Sequence, residues 1–199
     1  MKLVFATNNK HKLREVQELL PEGIEVLTLR DIGCEEEVEE TAETLEGNAK
    51  IKSDHVKNNY GYDCFADDTG LEVSALNGAP GVYSARYAGE NVTFEDNVNK
   101  MLNELQDVTN REARFRTVVS LIWKGKQYFF EGICDGRIEE KKSGDQGFGY
   151  DPLFVPLGSS DTFAELPSNV KNRISHRANA LHNAQDAWSE LLSSLQPGL

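Results

Sequence analysis

Apolar positions along this chain follow two periods, and the switches between them mark out its elements. Leu3-Val4-Phe5-Ala6 is an unbroken apolar run within Lys2 to Ala6 and predicts a buried strand. A polar loop follows, Thr7-Asn8-Asn9-Lys10-His11-Lys12. Leu13, Val16, Leu19 and Leu20 then recur at helical spacing, until Pro21 and Gly23 end the helix. Glu25 to Leu29 reads as a second short strand. Strand, loop, helix, strand is the opening of an α/β unit.

Beyond an acidic segment, Glu35 to Glu40, a helix is expected from about Leu45 to Asn59. Cys64-Phe65-Ala66 predicts a short buried strand running into Asp67-Asp68-Thr69-Gly70. Leu71 to Leu76 lies beyond it, with a turn at Asn77-Gly78-Ala79-Pro80-Gly81. Thr93, with Asp96 three residues on, caps a helix whose apolar face is Val98, Met101, Leu102 and Leu105. Ala113 to Trp123 and Lys126 to Asp135 are β-rich runs split by Lys124-Gly125, a hairpin pattern. Arg137 to Glu139 reads as a further strand and Ser143 to Pro152 as a glycine-rich loop. Leu181, Ala184, Trp188, Leu191 and Leu195 predict a terminal helix. There is no repeat and no linker composition, and 199 residues suit a single domain, 1–199, with room for two lobes.

Charge narrows the function. A formal net charge of −12 argues against coating nucleic acid or a membrane surface, which needs a broad basic field. An acidic chain binds phosphates only through a local basic pocket or a bridging metal. Cys34, Cys64 and Cys134 are odd in number and far apart, so neither a disulfide framework nor a CxxC metal site is visible. A reduced, cytoplasmic setting is the simplest expectation. The first apolar run is too short for a signal peptide, and no later run suits a membrane span.

Six segments carry candidate chemistry, and each also has a plainer reading. Thr7 to Lys12 joins a strand to a helix, where backbone amides and the helix dipole favour anions. It lacks Walker A or dinucleotide-fingerprint glycines and fits an Asn-capped polar turn equally. Adjacent carboxylates at the end of a buried strand, Asp67-Asp68, suit a hard divalent cation or an acidic turn before Gly70. Glu39-Glu40-Thr41 is a solvated acidic stretch unless Glu40 reaches Asp68. Lys52 is a lone lysine on a helix. Gly147-Phe148-Gly149-Tyr150-Asp151-Pro152 suits a frame for a flat ring, or a tight turn with aromatic plugs. Ser175-His176-Arg177, with Lys171 upstream, suits phosphate or a base edge, or ordinary capping. No HExxH or GxSxG spacing is present.

Together these segments resemble the inosine triphosphate pyrophosphatase family, hydrolases of non-standard purine nucleotides. The likeness runs in order through Phe5 to Lys12, Glu39-Glu40-Thr41, Asn48-Ala49, Ala66 to Leu71, Gly78 to Tyr87, Gly147 to Pro152 and Ile174 to Arg177. Two departures are small: Thr7-Asn8-Asn9 stands where Thr-Gly-Asn is common, and Thr69 stands where serine is common. The resemblance implies an α/β fold, a long bent mixed β-sheet flanked by helices, with two lobes around a central cleft. It implies that Thr7, Asn8, Asn9, Lys10, His11 and Lys12 bind a triphosphate with help from Lys52. Glu40 and Asp68 would hold Mg²⁺, and Asp68 would also activate water. Thr69 would touch the substrate, Phe148 would stack on the purine, and Gly149, Tyr150 and Asp151 would shape the base pocket. Lys171, His176 and Arg177 would reach the base edge or the phosphates. A homodimer is implied as well.

The expected reaction converts ITP, dITP or XTP to the monophosphate and pyrophosphate, in a site that is basic within an acidic protein. A nucleotide-binding regulatory module without catalysis is one competing reading. A relative of the septum-inhibitor-like pyrophosphatases acting on modified pyrimidines is another.

Overall fold

The continuous apolar run near the N-terminus has its cause in a strand covered on both faces. In β1 (Lys2–Phe5), Leu3 and Phe5 enter one hydrophobic cluster while Val4, with Ala6 just beyond, enters another. The computed structural model describes residues 1–194. After β1 come α1 (Lys10–Leu19), β2 (Glu25–Leu27), α2 (Leu45–Tyr60), β3 (Cys64–Val73), β4 (Pro80–Gly81) and α3 (Phe94–Glu104). Then follow β5 (Glu112–Trp123), β6 (Lys126–Ile138), β7 (Phe154–Pro156), α4 (Ser168–Ile174), α5 (His176–Asn183) and α6 (Gln185–Ser193).

The strands form one mixed sheet in the order β2-β1-β3-β5-β6-β7, with β4 paired to β3. β1 runs parallel to both β2 and β3, with Val4 opposite Leu27 and Phe5 opposite Phe65. β4 and β7 are antiparallel additions to β3 and β6. The α/β class is therefore observed, with parallel pairing where the chain begins and antiparallel pairing further along.

Internal contacts divide the chain into two compact units. The first comprises Met1–Asp68, Thr117–Gly132 and the chain from Arg177 onward. Its core stacks Phe5 on Phe65 at 4.6 Å and sets Trp188 edge-on to Phe65 at 6.0 Å. The second comprises Thr69–Arg116 and Ile133–His176. Its core gathers Leu71, Val98, Met101, Phe115, Ile138, Phe154 and Phe163. Strands β3, β5 and β6 contribute residues to both units.

Three sequence expectations change. Asp67 to Gly70 is not a turn after a short strand: β3 continues unbroken through it to Val73. Gly70 makes this possible, because a Cβ there would lie 2.5 Å from the Gly81 carbonyl oxygen of the paired strand. Arg137 to Glu139 is not a separate strand, since β6 runs on to Ile138. The terminal helix is broken at Ala184 into α5 and α6, where the Trp188 indole N–H donates to the Leu181 carbonyl at 3.2 Å. Leu195 lies outside the described residues. Other signals hold without change. Thr93 and Asp96 form a reciprocal capping box, and Lys124 and Gly125 both take positive φ in the hairpin turn. Among the described residues no helix is long and apolar enough to cross a membrane.

Because only a hydrogen fits between β3 and Gly81, Gly70→Ala is expected to lower unfolding free energy by about 1–3 kcal/mol. Chemical denaturation measures this, and an unchanged midpoint would show that the Gly81 backbone yields freely.

Candidate functional site

In the first unit the polar loop after β1 folds on its own side chains. Asn9 caps α1, its side-chain oxygen accepting from the His11 and Lys12 amides at 3.0 and 3.1 Å. The Thr7 hydroxyl accepts from the Asn9 amide at 3.1 Å. Asn8, Lys10 and His11 are exposed. Lys12 instead turns inward, and its ammonium lies 2.8 Å from an Asp67 oxygen.

Asp67 is the centre of this unit's charge network. Its carboxylate is almost fully buried and takes Lys12 on Oδ1 and the Arg177 Nε, at 2.8 Å, on Oδ2. Arg177 is the largest of the fully buried side chains, and its guanidinium also meets Glu15. Burial alone would raise the Asp67 pKa, but Lys12, Arg177 and Lys52 outweigh it and hold the carboxyl well below the usual range. Burial lowers the Lys12 pKa despite Asp67, whereas Arg177 is held firmly charged by Asp67 and Glu15 against its own burial.

The neighbouring residue of β3 has the opposite character. Asp68 is 5% exposed, and burial, supplemented by the Glu40 carboxylate, pushes it up to about 6 against the pull of Lys52 and Lys12. Lys52 donates to Glu40 at 2.9 Å and to the Asp67 carbonyl at 2.5 Å. Burial drags its pKa down, but Glu40, Asp68 and Asp67 prevail and raise it. Asn48, fully buried, accepts from the Ala42 amide at 2.9 Å and lies near enough to Asp68 to draw its pKa down slightly. Glu40 is close enough for its charge to be felt by Asp68.

The local basic excess expected from the sequence is not what these inner groups form. Lys12, Lys52 and Arg177 are each paired with a carboxylate, and the set Glu15, Glu40, Asp67 and Asp68 outnumbers them. A polyphosphate approaching such a set needs an added cation. An all-oxygen pair, one member buried and raised in pKa by the other, suits a hard ion such as Mg²⁺.

The second unit holds the aromatic candidate residues. Asp151 is buried and anchors the glycine-rich loop: its Oδ2 accepts from the Phe148 amide at 3.0 Å and from Lys171 at 2.7 Å. Gly147 is required there, since a Cβ would fall 2.1 Å from that same oxygen. Phe148 is half-buried, with Phe94 at 6.1 Å and the Lys171 ammonium 5.1 Å from its ring. The Tyr150 hydroxyl donates to the Ser84 carbonyl at 2.6 Å, and Gly149 takes positive φ. His176 is buried and stacks on Phe115 at 4.6 Å. Thr69 is half-buried on β3.

Sequence reasoning missed three residues of this network: Asp67, Glu15 and Asn48. Asp67 was visible as the partner of Asp68, but only the strand's two-residue alternation separates their surroundings. Glu15 lies one helical turn after Lys12, an ordinary surface spacing until Arg177 arrives from a distant part of the chain. Asn48 fell within the resemblance, as Asn48-Ala49, but with no role attached to it.

A model of the Ham1 family matches residues 3–187. The chain belongs to the Ham1 family. Among its Ham1 relatives, a dITP/XTP pyrophosphatase of Flavobacterium johnsoniae is 58% identical over 94% of this chain and 97% of its own length. One of Porphyromonas gingivalis is 51% identical over 93% and 96%. A solved HAM1 protein from Coxiella burnetii aligns over 97% of this chain and 99% of its own with TM-score 0.85 and 37% identity. The Ham1 protein of Staphylococcus aureus aligns over 98% and 100% with TM-score 0.84 and 38% identity.

Asp68 gives a signed pH prediction for the metal-free protein. Its pKa rises from 3.8 to about 6 on folding, so the folded chain binds more protons than the unfolded one in that window. Stability is therefore lost as pH rises through it. Asp68→Asn is expected to be about 1–3 kcal/mol more stable than the parent at pH 8 in chelator. The difference should close below roughly pH 4. Equal unfolding midpoints at pH 8 would mean that Asp68 is hydrated rather than buried.

Proposed function

We propose that this chain hydrolyses non-standard purine nucleoside triphosphates, dITP, XTP and ITP, to the monophosphate and pyrophosphate. The observation that carries the reading is Asp68: a buried carboxyl near neutrality, beside a second carboxylate and a lysine. The names of its Ham1 relatives supply the substrate class. A purely nucleotide-binding module would have no use for such a group.

In this reading Thr7, Asn8, Asn9, Lys10, His11 and Lys12 bind the triphosphate, with Lys52 helping. Backbone amides at the start of α1 and the lysine charges favour an anion there. Glu40 and Asp68 hold Mg²⁺, which when bound screens the phosphate charge and stabilises the charge growing on the leaving oxygens. Asp68 accepts a proton from the water that attacks the α-phosphorus. Asn48 and Lys52 orient this pair. Arg177 and Asp67 keep Lys12 in place, so turnover depends on positioning and electrostatics.

Thr69 contacts the substrate and Phe148 stacks on the purine. Gly149, Tyr150 and Asp151 shape the base pocket, with Lys171 holding Asp151. His176, Arg177 and backbone amides offer donors to the oxygen at position six of the base. Adenine would leave such donors unpaired, at a cost of about 1–3 kcal/mol per buried group. A cytoplasmic homodimer accompanies this reading. The three free, buried cysteines fit a reducing compartment, and sedimentation of the purified chain reads the subunit number.

The test is Mg²⁺-dependent pyrophosphate release across ITP, dITP, XTP, GTP, ATP and modified pyrimidine triphosphates. Release from the first three should exceed that from ATP at least about tenfold, a difference of about 1.4 kcal/mol. No release from any purine would leave the binding module, and preference for pyrimidines would leave the septum-inhibitor-like alternative. Asp68→Asn should nearly abolish turnover with the fold intact, and turnover like the parent's would remove it from its role. Phe148→Ala should mainly raise KM, and an unchanged KM would exclude stacking.

A further inference from the structure

Away from the groups used above, one cluster combines three kinds of donor atom. The short helical turn Arg30–Ile32 ends at Gly33 in the left-handed region, and the Cys34 amide then bonds the Leu29 carbonyl at 2.9 Å. This turn buries the Cys34 thiol against the Leu29, Val56 and Cys64 cluster. Glu36, two residues on, reaches toward α2. There its Oε1 lies 2.8 Å from His55 Nε2, and both its oxygens accept from the Tyr60 hydroxyl at 2.8 Å. The Cys34 sulfur, a Glu36 oxygen and a His55 nitrogen all lie within 4.8 Å of one another.

We propose that Cys34, Glu36 and His55 form a binding site for a zinc-class divalent cation, separate from the Glu40 and Asp68 pair. Sulfur, nitrogen and oxygen together favour a borderline metal, whereas an all-oxygen set favours Mg²⁺. Tetrahedral zinc bonds of about 2.0–2.3 Å set ligand atoms about 3–4 Å apart. The cluster therefore closes on the ion with a movement of about 1 Å at its widest. Water fills the fourth position.

The proton balance is simple. Burial keeps the Cys34 thiol protonated, so its proton leaves to solvent as sulfur takes the metal. In the neutral imidazole the Nε2 proton gives way to one on Nδ1. Asn59, whose amide nitrogen now stands 3.1 Å from Nδ1, turns over to accept it. Tyr60 keeps its bond to Glu36 and so orients a ligand without touching the ion.

Cobalt(II) is the probe, added to the full-length protein, because a thiolate on cobalt gives a near-ultraviolet charge-transfer band that oxygen ligands do not. One equivalent of Co²⁺ should produce the band, and one equivalent of Zn²⁺ should abolish it. Cys34→Ser should lose the band. Loss of a residue that only orients a ligand costs about 10–100-fold in affinity, which is the expectation for Tyr60→Phe. His55→Ala, on the partly exposed face of α2, should lose at least as much while unfolding at the parent's midpoint. No band, or a band that survives in Cys34→Ser, would overturn the site and leave a hydrogen-bonded pin only. The readout is independent of catalysis, so its failure would not touch the pyrophosphatase reading, nor the reverse.

Discussion

A carboxylate buried in mid-strand is costly unless charge surrounds it, and the first unit is organised around meeting that demand at Asp67. A lysine from the first helix and an arginine from the start of α5 converge on its two oxygens. Removing either partner of such a buried pair typically costs about 3–5 kcal/mol. The ion triplet therefore fixes where α1 and α5 meet β3. It also fixes Lys12 within the loop that leads out of β1. The pairing couples fold and candidate chemistry, because the group that anchors the helices also holds the lysine proposed for phosphate binding.

Adjacent carboxylates with opposite titration are the second consequence. Asp67 is ionised by its partners, while Asp68, met mainly by burial and by Glu40, is held near neutrality. Pairs of titratable groups driven apart by their surroundings are the usual basis for dividing structural and chemical duties. Here the division follows from nothing more than the pleat.

Much of this was legible in the amino-acid sequence because local rules were unopposed. The continuous apolar β1, the Thr93 to Asp96 cap and the Lys124-Gly125 turn each carry their own geometry. Motif order singled out Thr7 to Lys12, Asp68 and Phe148 as candidates. What escaped was nonlocal. Asp67 to Gly70 looks like a turn because two acids precede a glycine, and only the approach of Gly81 explains a glycine inside a strand. Lys171 looks like a surface lysine until Asp151 is seen beneath the loop. Glu15 and Asn48 gain meaning only from Arg177 and Asp68, residues far away in the chain. Pairwise burial of charge leaves no periodic trace.

The two-residue alternation of β3 makes that strand a ruler. One residue inserted or deleted between Phe65 and Asp67 would put the acids on the wrong faces relative to the aromatic, in a strand buried on both sides. The ion triplet would then claim the wrong carboxylate. Added length is therefore expected to be tolerated in the connections outside the strand, such as the Gly61 to Asp63 link, where an extra residue shifts no register.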